Sequence, residues 1–201
     1  MFKLLRRLIV TVLALVGLAA LAAGAMFGAG GISARQAPSR VELAVASRLR
    51  AMAIPAAARA QPNPLPASAD VVSEGLEHFA DHCAVCHGND GSGDTEMGRA
   101  LYPRVPDMRQ PATQNLSDGE LFYIIENGVR LTGMPAWAHE DANDNWKLVH
   151  FIRHQPRLTP AELERMKKIN PKSADDEEPG APAAGDAAKK PAPHTHTHPH
   201  K

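Results

Sequence analysis

Cys83, Cys86 and His87 stand together in Cys83-Ala84-Val85-Cys86-His87, where two thiols and an imidazole share five residues. The Cys-x-x-Cys-His spacing suits covalent attachment of one haem c. Two thiols separated by two residues reach the two vinyl groups on one edge of a porphyrin. The next residue, His87, then falls beneath the iron as an axial ligand. A thiol–disulfide redox pair needs only the two cysteines, and a zinc site needs a second cluster of ligands. The chain holds two cysteines in all, so haem attachment is the reading that uses every residue of the motif.

A haem held this way takes a sixth ligand, and four methionines follow the motif: Met97, Met108, Met134 and Met166. Met97 and Met108 lie close behind the cysteines, too near in sequence to wrap to the opposite haem face. Met166 falls in a predicted helix, where packing is its commoner role. Met134 stands in Thr132-Gly133-Met134-Pro135, where glycine permits close approach and proline stiffens the loop. It lies far enough beyond His87 for one helix to cross and return. Met134 is therefore the expected ligand, with His139 the alternative.

The elements that must position these residues follow from periodicity and caps. From Leu8 to Ala29 no residue is charged, and Lys3, Arg6 and Arg7 precede the run. As a helix it spans about 33 Å, enough for a hydrocarbon core of about 30 Å. It reads as a cleaved signal peptide or, being longer than a usual signal core, as an anchor; residues 1–34 are taken as the anchor. Arg35, Arg40 and Arg48 follow it almost as densely as the positives precede it, so charge leaves the topology undecided. Residues 35–66 hold a helix with Val41, Ala44, Val45, Leu49 and Met52 on one face, interrupted at Pro55, and then a stiff Pro-rich linker. That basic amphipathic helix either rests on anionic headgroups, docks on a partner or is a solvated spacer.

Residues 67–170 are expected to form an all-α domain. A first helix runs from Val71 to about Asp81, with Asp70 as its N-cap. Ser117-Asp118-Gly119-Glu120 is a capping box opening a second helix that Gly128 ends. A third covers about Asp144 to His154, and Thr159-Pro160-Ala161-Glu162 opens a fourth. Residues 171–201 are rich in Ala, Pro, Gly and charge, a composition that predicts disorder.

The chain is neutral overall, with 22 basic and 22 acidic residues. The 67–170 region is acidic, which excludes a basic nucleic-acid-binding domain. Aromatic residues make up only 4% of the chain, thin for a self-sufficient core. A haem would supply the missing apolar body for Leu101, Phe122, Ile125, Leu131 and Leu148 to pack on.

With CAVCHG followed by TGMPAW, the region 70–160 resembles the class I monohaem c-type cytochromes. The whole chain resembles membrane-anchored bacterial cytochromes with an arginine-rich helix after the anchor. The resemblance implies a cytochrome c-like fold of a few helices around the haem, with His and Met as axial ligands. It implies that Gly75 and Phe79 of the first helix cross Trp146 and Phe151 of a later one, and that the carbonyl of Pro103 or Pro106 orients His87. It also implies haem attachment outside the cytoplasm, which places the domain in the periplasm of a cytoplasmic-membrane protein. The long His-rich tail departs from the family pattern.

The expected function is one-electron transfer with redox partner proteins that are themselves membrane-bound, in a respiratory or dehydrogenase-linked chain. No nucleophile–base pair is visible, so the chain is not read as an enzyme, although it could be a subunit of a larger oxidoreductase. A second reading rests on His194, His196, His198 and His200, whose alternate spacing can chelate copper, nickel or zinc. That reading makes the chain an accessory to metal handling; a solvated polar tail is the alternative. A haem gas sensor would need an open sixth site, which Met134 argues against.

Overall fold

The computed structural model describes residues 2–30, 33–34, 36–138 and 141–171. Among them every regular element is helical. The first, α1 (Phe2–Gly30), contains the stretch Phe2–Ala25, whose most apolar 18-residue window has mean hydropathy 2.5, long and apolar enough to cross a membrane. α2 (Arg40–Ala53) opens on a capping box between Ser39 and Glu42, and α3 (Ala56–Arg59) follows after Pro55.

The remaining elements make the domain that carries the motif. α4 (Ala69–His82) starts from Ser68, whose hydroxyl accepts the N–H of Val71 at 3.2 Å. Ser68 thus takes the cap expected of Asp70, which instead sits in the first turn, where a carboxylate favours the helix dipole. α5 (Ala84–His87) is the single turn of the motif, and α6 (Glu96–Ala100) and α7 (Pro111–Gln114) are short turns in the region read as loop. α8 (Asp118–Asn127) has the expected capping box, with Ser117 and Glu120 satisfying each other's backbone N–H groups. Gly128 ends it with φ of 64°, a conformation that favours glycine. α9 (Ala142–His154) begins two residues earlier than expected because Asp141 caps it, and α10 (Pro160–Ile169) starts at the Thr159–Glu162 box.

The core sits where α4 crosses α9. A Cβ built at Gly75 would fall 2.8 Å from the carbonyl carbon of Lys147 and closer still to its oxygen, so only glycine lets the backbones meet there. One turn further along α4, Phe79 meets Phe151 with ring centroids 5.1 Å apart. On the far side of α9, Trp146 stacks on Phe122 of α8 at 3.9 Å. The four residues that the resemblance placed at the crossing are thus all buried or in register with it. Ile125 and Leu148 join the same core, with Phe122 packed against it, but Leu131 does not: it is 92% exposed with φ of 63° at the tip of a turn.

The Pro-rich segment lies along this domain. Asn63 donates to the carbonyl of Trp146 at 3.0 Å, and His150 Nε2 donates to that of Leu65 at 2.9 Å. Upstream, Ile54 is buried, Arg59 pairs with Glu120 at 2.9 Å, and the Ser117 hydroxyl donates to the Arg59 carbonyl at 2.8 Å. Gly119 admits the Ala58 carbonyl against α8, a contact any Cβ would block. The region between α2 and α4 is therefore packed, with its partners some 60 to 85 residues away in sequence.

Candidate haem site

The end of α4 delivers the motif. Cys83 caps the end of that helix and the start of α5, with its N–H bonded to the Phe79 carbonyl at 2.8 Å. The N–H groups of Cys86 and His87 both return to the Cys83 carbonyl, at 3.1 and 3.0 Å, so one tight turn presents all three side chains. Gly88 then leaves the turn with φ of 76°.

Thr95, which the sequence did not single out, locks that turn. Its hydroxyl is directed at the carbonyls of Val85 and Cys86 at 3.0 and 3.1 Å and accepts the N–H of Gly98 at 2.8 Å. The signal was present as Thr95-x-x-Gly98, an N-cap ahead of a five-residue helix too short to stand out by periodicity. Gly98 allows the Cys86 carbonyl to approach within 2.6 Å of where a Cβ would stand.

Burial sets the protonation of the motif. The imidazole of His87 is enclosed, with the residue 8% exposed, and desolvation lowers its pKa to about 4, leaving it neutral with a lone pair to donate. Desolvation, helped by the nearby Cys86, pushes the Cys83 thiol up to about 12, and burial also raises that of Cys86. Both cysteines are free thiols. His87 Nδ1 is buried and accepts or donates no hydrogen bond. The bond expected from the Pro103 or Pro106 carbonyl is thus not made. That loop instead crosses Gly93, where a Cβ would stand 2.6 Å from the Val105 carbonyl oxygen and 3.2 Å from that of Pro106.

These residues fit a covalent haem c: two free thiols on one turn and a neutral, enclosed imidazole with an unpartnered ring nitrogen. The sixth-ligand candidates separate by environment. Met108 and Met166 belong to the core, Met166 with no exposed surface, and their sulfurs are committed to packing. Met97 lies exposed on α6. Met134 is half-buried in a loop tied down on both sides. Its N–H donates to the Thr132 hydroxyl at 3.1 Å, that hydroxyl donates to the Val129 carbonyl at 2.7 Å, and the Val129 N–H returns to the Met134 carbonyl at 3.2 Å. Gly133 lies so close to Leu101 that a Cβ would stand 2.6 Å from its Cδ2. His139 and the tail histidines His194, His196, His198 and His200 lie outside the described residues.

Residues 70–152 match the family model of cytochrome c oxidase, cbb3-type, subunit III. A stretch of 90 residues is 33% identical to the cbb3-type cytochrome c oxidase subunit FixP of Rhizobium meliloti (strain 1021). That stretch is 44% of this chain and spans 29% of the relative's length. The family match begins in α4 and ends in α9, so it covers the motif and the loop of Met134 and stops short of the His-rich tail.

Proposed function

We propose, from the premise that this chain is a membrane-anchored monohaem c-type cytochrome, that it carries single electrons for a membrane-bound respiratory or dehydrogenase-linked partner. Cys83 and Cys86 would hold the haem c through thioethers, His87 and Met134 would supply the ligands to its iron, and the domain would lie on the periplasmic side. The observation that carries the reading is the enclosed imidazole of His87 presented on the same tight turn as Cys83 and Cys86.

Bound haem supplies the iron that gains and loses the electron. The chain's own residues hold and insulate it. Thr95 fixes the backbone of the motif, Phe79 places its ring 6.2 Å from that of His87, and the Thr132–Val129 turn presents the Met134 thioether. Two protein donors leave no position for a substrate, and a thioether ligand favours the reduced state and raises the potential. Little has to rearrange when the oxidation state changes.

A subunit role within a larger oxidoreductase uses the same residues, and the resemblance to subunits of cbb3-type oxidases favours it. Optical redox titration of the full chain in lipid nanodiscs tests the carrier reading. A single one-electron wave and a ferrous form inert to carbon monoxide are expected. Rapid carbon monoxide binding by the wild type would replace the carrier with a sensor or an enzyme. Blue native gels of solubilised membranes test the subunit role, which predicts co-migration of the haem stain with a larger complex.

A further inference from the structure

We propose that α2 is an interfacial helix that seats its apolar stripe on an anionic bilayer and so holds the haem domain against the membrane at a fixed face. Val41, Val45, Leu49 and Met52 fall within an arc of about 80° at 3.6 residues per turn. All four are exposed, from 52% at Val45 to 80% at Met52. An uncovered apolar stripe on a 14-residue helix is unusual unless something else covers it.

The haem domain does not cover it, because the domain holds a different flank. Tyr102 donates to Glu42 at 2.9 Å, and Arg59 Nη2 donates to the Ala51 carbonyl at 2.5 Å. Glu42 and Arg50 are half-buried, and Ile54 just beyond the helix is buried. At roughly 100° per residue, Arg50 and Ile54 lie about 100° or more from the stripe's nearer edge, while Glu42 adjoins Leu49 and marks the border between the stripe and the domain. Arg48 borders it on one side, and Arg40 lies beyond Arg48. The one acid, Glu42, is engaged by Tyr102 and by the Ser39 backbone N–H at 2.6 Å. The helix therefore offers apolar side chains flanked by free positive charge, the combination that binds anionic headgroups.

Chain continuity puts that surface within reach. Residues 31–39 connect Gly30 of the membrane-spanning helix to Arg40, and nine residues extend over at most about 32 Å. The Glu42–Tyr102 bond then joins the seated helix to the loop following the haem motif, so the domain's orientation follows from that of α2.

The test uses full-length holoprotein in vesicles of phosphatidylcholine with phosphatidylglycerol. Leu49→Cys and Ser47→Cys, on opposite faces of α2, are reacted with a membrane-impermeant maleimide. The wild type is the control that its own cysteines stay silent, and the haem spectrum shows that each variant is folded. Leu49→Cys should react about tenfold more slowly than Ser47→Cys, at every protein-to-lipid ratio. The gap should narrow when phosphatidylglycerol is omitted. Equal rates in anionic vesicles would overturn the proposal and leave the stripe to a partner protein. Protection that fades as protein is diluted in lipid would overturn it in favour of a second copy of the chain. Protection indifferent to lipid charge would overturn the anionic preference.

Discussion

Trp137 meets His82 edge-on, with ring centroids 5.6 Å apart and planes at 85°. His82 is the residue before Cys83, the first cysteine of the motif, and Trp137 stands three residues after Met134. The contact therefore ties the methionine loop to the end of α4 that presents the motif. The Trp137 backbone is held as well, its N–H by the Ile125 carbonyl at 3.1 Å and its carbonyl by the Asn145 amide at 3.2 Å. Trp137→Ala should keep those backbone bonds and lose the ring contact. We expect a folded holoprotein whose ferrous form binds carbon monoxide faster than the wild type in stopped-flow mixing. Unchanged ligand-binding kinetics would show that the loop needs no such tie.

Met134→Ala should lower the midpoint potential by on the order of 100 mV or more, because a harder ligand stabilises ferric iron. The weak long-wavelength absorption of ferric thioether ligation should disappear. Met97→Ala, exposed on α6, should change neither quantity. Met108→Ala and Met166→Ala should retain both yet cost about 2–5 kcal/mol of stability in denaturant titrations, as core truncations do. If Met134→Ala kept its potential, another residue would be the ligand.

Cys83→Ala and Cys86→Ala should each remove one thioether and leave little or no haem stain on a denaturing gel. Thr95→Val removes the hydroxyl that bridges the Val85 and Cys86 carbonyls while keeping a similar volume. It should preserve covalent attachment but reduce holoprotein yield, because the part-buried carbonyls of Val85 and Cys86 lose the one hydroxyl proton directed at them. Full covalent staining of the Cys83→Ala/Cys86→Ala double variant would remove the basis of the haem site.

The parts of the fold that were legible in the sequence depend on neighbouring residues. The boxes at Ser117–Glu120 and Thr159–Glu162 specify helix starts with residues three apart, and both appear as read. Where two caps compete, local reading slips: Ser68 and Asp70 both suit an N-terminus, and the hydroxyl won. The Cys-x-x-Cys-His motif is local in the same sense, and the structure holds its three residues in one turn. The packing of Asn63 on Trp146, Gly119 on Ala58 and Trp137 on His82 was not, since each partner lies far away along the chain. Leu131 is a separate case: it was expected to pack on the haem, and in the turn after α8 it stands 92% exposed with φ of 63°.

Gly75→Ala sets two local effects against each other. Alanine in a helix interior is favoured over glycine by about 1 kcal/mol. Its methyl would collide with the Lys147 backbone and stand 3.1 Å from Phe151 Cβ, and backbone cannot swing aside as a side chain end can. The clash should win, with a net loss of about 1–3 kcal/mol in chemical denaturation of the holoprotein. A neutral or stabilising result would mean that α4 and α9 can separate without cost.

Asp107 should give the domain a titration at low pH. Arg109 bonds it through Nε at 2.8 Å and Nη2 at 3.0 Å while reaching Asp90 through Nη1 at 2.7 Å, which closes the loop after α6 back on the loop after the motif. These bonds with Arg109, and a lesser one from Gln110, lower the Asp107 pKa from 3.8 to about 2. A carboxylate with a depressed folded-state pKa contributes stability that is fully present above its unfolded value. That contribution fades as pH falls through the folded value. Asp107→Asn should therefore be less stable than the wild type at pH 6, with the gap shrinking between about pH 4 and about pH 2. Denaturant titrations of both proteins across that range measure it. A gap that stayed constant down to pH 2 would show that the side chain acts through shape and hydrogen bonding alone, and that its charge contributes nothing.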